Sequence, residues 1–256
     1  MSSIGTTLAV ATALTACGAG SSPRGELAHD KKILATCDRA HAPASWVAID
    51  GTGSSAAPAI LAERMKAIEA IARTTAVCSG YLRVTVFSSS TVATTVLMDT
   101  PLAQRGATTN SKLLRIPRAV ASVMATVRKA YGPAVARLDQ RDSDILGQYG
   151  NASQFFAQLG GTYQRRIVIL TDGMQTTGIK LGGRALSKQK ATELAAKTSV
   201  PKLLGAAVTV AGLGRVAGSP PRSDVVQGLT WYFNALCRKA GAATCLSVTD
   251  YATAGQ

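Results

Sequence analysis

Three short, almost wholly apolar runs constrain this chain more than anything else in it: Trp46–Asp50 (WVAID), Arg166–Asp172 (RIVILTD) and Ala206–Ala211 (AAVTVA). They do not alternate apolar with polar residues, so they suit strands covered on both faces, as in a parallel sheet. Between them lie segments with helical spacing. Ala56–Cys78 places Ile60, Leu61, Met65, Ile68, Ile71 and Ala72 on one stripe, with Pro58 suited to a first turn. Strands that alternate with amphipathic helices predict an α/β fold: three layers, doubly wound, around a mostly parallel sheet.

Leu82–Phe87 alternates cleanly and Val92–Met98 is rich in β-branched residues, with only Ser88–Ser90 marked as a turn between them. So short a connection makes the pair antiparallel and adds one antiparallel edge strand. A helix carrying Val120, Val123, Met124, Val127 and Tyr131 follows, and Gly132-Pro133 is expected to stop it, leaving a polar loop over 132–144. Ile145–Leu159 is expected to be helical, with Phe155, Phe156 and Leu159 inward. A glycine-rich loop (173–186), helices over Ser187–Thr198 and Ser223–Ala240, and a last strand at Thr244–Val248 complete the reading.

The N-terminus reads as an address. Ile4–Ala16 is apolar and uncharged, ends Leu14-Thr15-Ala16-Cys17, and is followed by a small, polar stretch over Gly18–Pro23. This resembles a bacterial lipoprotein signal peptide, although Met1–Ser3 carries no Lys or Arg. The resemblance implies cleavage before Cys17 and acylation of its thiol, hence an exported protein lipid-anchored on the extracytoplasmic face of the cell membrane, in the bacterial cell envelope. The domains are then 1–16 (signal peptide), 17–39 (lipidated tether and linker, in which residues 18 to about 36 read as a tether that becomes a short helix) and 40–256. No apolar run reaches the roughly 18 residues of a membrane span. Without Cys17 four cysteines remain, Cys37, Cys78, Cys237 and Cys245. An even number suits two disulfides in an oxidising compartment, with three pairings open, and none of the spacings resembles a zinc site. The net charge of +14 is scattered in pairs such as Lys31-Lys32 and Arg128-Lys129, without a dense run or interleaved aromatics. No nucleic-acid partner is expected; a solvated basic surface beside an anionic membrane or wall is.

In open α/β sheets, ligands bind beyond the carboxyl ends of the strands, where strand order reverses. Two apolar strands here end in aspartate, Asp50 and Asp172, so both carboxylates belong to one rim. Asp50 opens an Asp-x-Thr-x-Ser string through Thr52 and Ser54, and Asp172 stands in Thr171-Asp172-Gly173. Together with the edge hairpin, these motifs resemble the von Willebrand factor type A domain and its metal-ion-dependent adhesion site, over roughly residues 40–256. The resemblance implies metal ligands at Asp50, Thr52, Ser54, Asp172 and a loop hydroxyl, for which Ser143 is the candidate. Thr52 stands where Ser is commoner and Ser143 where Thr is; both keep the hydroxyl. It further implies a bound Mg²⁺ (with Mn²⁺ or Ca²⁺ as alternatives), a protein ligand that offers an Asp or Glu carboxylate, and no catalysis. Two carboxylates and three hydroxyls form a hard oxygen set suited to such a cation. In this fold Cys37 and Cys78 share the opposite rim, as do Cys237 and Cys245, which selects those two pairs.

Each element also has a plainer reading: Asp50 and Ser54 as helix caps, Asp172-Gly173 as a turn. Gly51-x-Gly53-x-x-Ala56 matches a dinucleotide fingerprint, which makes a nucleotide-binding Rossmann-type enzyme the alternative. Asp50 would repel a pyrophosphate, however, and the second strand ends Phe87-Ser88 without an acid for a ribose. A structural lipoprotein with a degenerate metal site is the third reading. A hydrolase is disfavoured, since the two histidines, His29 and His41, lie before the first strand and no Gly-x-Ser-x-Gly elbow occurs.

Overall fold

A computed structural model describes residues 23–255. The expected signal peptide and Cys17 lie outside the described residues. The elements in chain order are helix α1 (Pro23–Thr36), strand β1 (Pro43–Asp50), α2 (Pro58–Val77), β2 (Tyr81–Phe87), β3 (Thr95–Pro101), α3 (Thr109–Leu113), α4 (Ile116–Val135), α5 (Gly147–Leu159), β4 (Gln164–Leu170), α6 (Lys188–Lys197), β5 (Ala207–Ala211), α7 (Ser223–Lys239) and β6 (Thr244–Val248). Short 3-10 turns at Gly53–Ser55 and Ala252–Gly255 follow β1 and β6.

The strands form one sheet in the order β3-β2-β1-β4-β5-β6. All pairs are parallel except β2–β3. This is the three-layer, mostly parallel architecture with one antiparallel edge strand that the residue pattern implies. β1, buried along its whole length, lies at the centre, where its unbroken apolar run belongs. One core packs Ile60, Ile68, Ile71 and Val127 of α2 and α4 against Val47, Ile49, Val84 and Val86. The other packs Phe155, Tyr232, Phe233 and Leu236 of α5 and α7 against Trp46, Ala48, Ile167 and Ile169. Alternate residues of β1 therefore serve opposite cores. Among the described residues no helix is long and apolar enough to cross a membrane.

Several boundaries differ from expectation. The second hairpin strand is Thr95–Pro101, not Val92–Met98, because residues 90–94 turn, with Ala93 N–H on the Ser90 carbonyl and Thr94 N–H on the Thr91 carbonyl. The register then shifts at Val84/Thr85. Helix α4 runs through Gly132-Pro133 to Val135: a proline in the last turn forfeits one N–H, while Ala136 N–H still reaches the Gly132 carbonyl and Ala134 is buried. Helix α3, closed by a Thr108/Ser111 capping box, has no counterpart in the periodicity reading. The short helix expected at the end of the tether is Pro23–Thr36, and it packs on the domain. Its Asp30 is fully buried and accepts Arg73 Nε at 2.7 Å, and Leu27, Ile33 and Leu34 lie on the first core. The disulfides are Cys37–Cys78 and Cys237–Cys245, as expected.

Candidate metal centre

Strand order reverses between β1 and β4, since β1 leads on to β2 on one side while its other neighbour, β4, leads on to β5. At the carboxyl end of this pair stand Asp50, the last residue of β1, and Asp172, two residues beyond β4, both wholly buried. The chain leaves β1 through Gly51, where a Cβ would come within 2.9 Å of Val86 Cγ2 and 3.2 Å of the Phe87 carbonyl. Only glycine passes there without displacing β2.

The five residues singled out from the sequence meet here. Asp50 Oδ1 accepts the Thr52 N–H at 3.1 Å and the Thr52 hydroxyl at 2.7 Å. The Thr52 and Ser54 hydroxyl oxygens are 3.2 Å apart. Asp50 Oδ2 accepts the Ser143 hydroxyl at 3.2 Å, which brings in the loop before α5. That loop is held from two sides: Asp144 N–H donates to the Ser88 carbonyl at 2.7 Å, and Ser143 N–H to the Thr176 hydroxyl at 2.7 Å. Gln175 Oε1 takes the Ile145 and Leu146 N–H groups at 2.7 and 3.1 Å. Thr52 and Ser143 are buried, whereas Ser54 and Gly53 are exposed, so the cluster opens to water on one side only.

Asp172 is the incomplete member. Its Oδ1 accepts the Met174 N–H at 2.8 Å, but its Oδ2 is buried without a hydrogen-bond partner. Burial, and then the negative charge of Asp50, push its pKa up to about 6; the nearby Ser54 hydroxyl, then the Met174 N–H and, more weakly, Arg64 oppose this. A buried carboxylate oxygen with no donor costs stability unless a proton or a cation meets it. The donor set fits a hard divalent cation, because hydroxyls that donate to Asp50 keep their own lone pairs for a metal. Among the described residues no group of three or more His, Cys, Asp or Glu gathers, so this set of two carboxylates and three hydroxyls is of the oxygen-rich kind and not a histidine or thiolate centre.

Further residues of the site were not singled out. Thr171 donates to Asp50 Oδ2 at 2.6 Å and accepts the Gly173 N–H at 3.1 Å; its place beside Asp172 in the motif was the available signal. Arg64, wholly buried in α2, donates to the Asp50 carbonyl at 2.7 Å, to Ser55 Oγ at 2.9 Å and to Tyr251 Oη at 3.0 Å. Burial raises the pKa of Tyr251, keeping its phenol neutral as the acceptor. His41, by contrast, lies before β1 and pairs with Asp38 at 3.1 Å, away from the cluster.

No protein-family model matches the chain, and no curated protein matches it in sequence. Two solved structures are similar in outline. The conserved hypothetical protein BatB from Bacteroides thetaiotaomicron is 13% identical, with a TM-score of 0.47, over 81% of this chain and 90% of that one. The pilus adhesin SpaC from Lactobacillus rhamnosus GG, in its open conformation, is 11% identical, with a TM-score of 0.44, over 86% of this chain and 29% of that one.

Proposed function

We propose that this chain is an exported, lipid-anchored protein of the von Willebrand factor A type. In this reading it binds a protein partner through a divalent cation, most simply Mg²⁺, and catalyses no reaction. The observation that carries it is the partnerless, buried Asp172 Oδ2 beside a carboxylate already ringed by hydroxyls. Asp50, Thr52, Ser54, Ser143 and Asp172 would hold the ion, and the exposed Ser54 side is where a partner's Asp or Glu would reach it. A bound divalent ion supplies an electrophilic position that a carboxylate can complete. The two disulfides suit the oxidising compartment that this reading requires. The dinucleotide alternative fares worse. Both Asp50 oxygens are occupied, and the turn at Gly53–Ser55 is a single 3-10 turn, with α2 beginning only at Pro58, so no α-helix starts at Gly51–Gly53.

Calorimetric titration of Mg²⁺ and Mn²⁺ into metal-stripped protein is expected to give one saturable site. Asp50→Ala should weaken it about a hundredfold or more, since it removes both a ligand and the acceptor that orients three hydroxyls. Absence of a saturable isotherm in the wild type would refute the reading.

The pH dependence follows from Asp172. Its folded pKa lies above the ordinary carboxylate value, so its contribution to stability is present in acid and is lost as pH rises through about 6. Metal-free protein is therefore expected to lose about 2–3 kcal/mol from this group between about pH 4 and pH 7. Mg²⁺ should recover it only above about pH 6, where the proton no longer competes. Thermal melts with EDTA and with Mg²⁺ check this. Asp172→Asn should flatten the pH profile and abolish the response to metal; an Mg²⁺ effect equal at pH 5 and pH 8 would contradict the assignment.

A further inference from the structure

A second site lies at the opposite end of the sheet. Helices α1 and α2 and the Ala252–Gly255 turn border a groove of about 780 Å³ with Ile33 and Ala70 among its apolar lining. Lys32, Lys66, Arg73 and Arg166 project into it against a single acid, Glu69. Arg73 is satisfied by Asp30, and Glu69 lies 3.9 Å from Arg128 outside the groove. The side chains of Lys32, Lys66 and Arg166 make no hydrogen bond or ion pair with any described residue. Arg166 is the telling one. It is partly buried near the start of β4, and it also lines an adjoining cleft of about 300 Å³ with the hydroxyl-bearing Thr74, Thr209 and Thr253. A guanidinium withdrawn from water without an anion is unfavourable, and its planar donors match a phosphate.

We propose that this groove seats the phosphate-bearing headgroup of an anionic membrane lipid. The choice of a lipid over other phosphates rests on the proposed acylation of Cys17. Only five residues separate Cys17 from the start of α1, a reach of about 18 Å when extended. An acyl chain on Cys17 therefore brings α1, which carries Lys32, to the bilayer surface. With Arg166 near the amino end of β4 and Asp172 beyond its carboxyl end, the headgroup contact turns the metal rim away from the membrane, toward partners.

The test uses the unlipidated chain from Gly18, which contains every described element, in EDTA, so that neither the anchor nor the metal contributes. It is expected to sediment with phosphatidylcholine vesicles doped with phosphatidylglycerol and not with phosphatidylcholine alone. Each groove cation removed should weaken partitioning about fivefold. Arg166→Gln with Lys66→Gln then loses about 25-fold. The exposed pair Lys32→Gln with Lys66→Gln should lose as much, which covers the case in which Arg166→Gln misfolds. Lys188→Gln with Lys190→Gln, on α6 at the other face of the sheet, should lose less than about twofold. Equal losses from the α6 pair would overturn the proposal in favour of general attraction by a basic chain. Saturable binding of glycerol phosphate without preference for the doped vesicles would overturn it in favour of a soluble phosphate ligand.

Discussion

Arg64→Met is expected to destabilise the fold by about 3–5 kcal/mol, the largest loss foreseen for any one side chain here. Arg64 is wholly buried, and its three donor nitrogens each meet a different acceptor: the Asp50 carbonyl, Ser55 Oγ and Tyr251 Oη. Methionine fills much of the volume but leaves all three acceptors buried without a donor, and each costs about 1–3 kcal/mol. The positive charge of the guanidinium also opposes the rise in the Asp172 pKa. Lysine would keep the charge, but it cannot span three acceptors in a plane. Arg64→Lys should therefore recover less than half of the loss. Urea denaturation in EDTA measures both variants. A loss below about 1 kcal/mol for Arg64→Met would show that water replaces the guanidinium and that the rim does not depend on it.

Arg64 also marks where the sequence stops being legible. Strands β1, β4 and β5 and the amphipathic stripe of α2 announce themselves, because continuous apolar runs and helical spacing have few other uses. The rim aspartates follow from where those runs end. Arg64 sits four residues from Ile60 and four from Ile68, on the face that those residues bury. That was a visible anomaly, but its partners are fixed by tertiary structure: Tyr251 is 187 residues away. The same holds for Thr171, whose acceptor lies 121 residues back in the chain. Ser143 was reachable only through the family resemblance, since nothing local distinguishes it from a cap. The misplaced β3 has another cause. A β-branched residue such as Val92, 92% exposed in a turn, carries the same local preference as one in a strand, and only pairing with β2 decides the register. A short helix is expected at the end of the tether, but its packing is not legible there: the apolar residues of α1 are few, and its attachment depends on the Asp30–Arg73 pair and on a covalent bond.

That covalent bond leads to the other large effect. Cys37→Ser with Cys78→Ser is expected to cost about 4 kcal/mol, against about 2.5 kcal/mol for Cys237→Ser with Cys245→Ser. The ranking follows from the unfolded chain: the first bridge closes a loop of sequence separation 41, the second only 8, and the longer closure removes more conformational freedom. The native environments reinforce it. Cys37–Cys78 joins the end of α1 to the end of α2, and α1 is otherwise held by ion pairs of Asp30 and Glu26 with Arg73 and by a few apolar contacts. Cys237 and Cys245 are already neighbours across the turn from α7 to β6, where Ala242 N–H reaches the Cys237 carbonyl and Ala243 N–H the Ala206 carbonyl. Losing the first bridge should therefore also lower the local stability of α1, seen as faster amide exchange and earlier proteolytic cleavage around residues 23–40, while Mg²⁺ titration at the far rim is unchanged. The reverse ranking would mean that folded-state packing around α7, and not unfolded-chain entropy, sets the value of these bridges. Loss of metal binding together with α1 would mean that the two ends of the sheet are coupled.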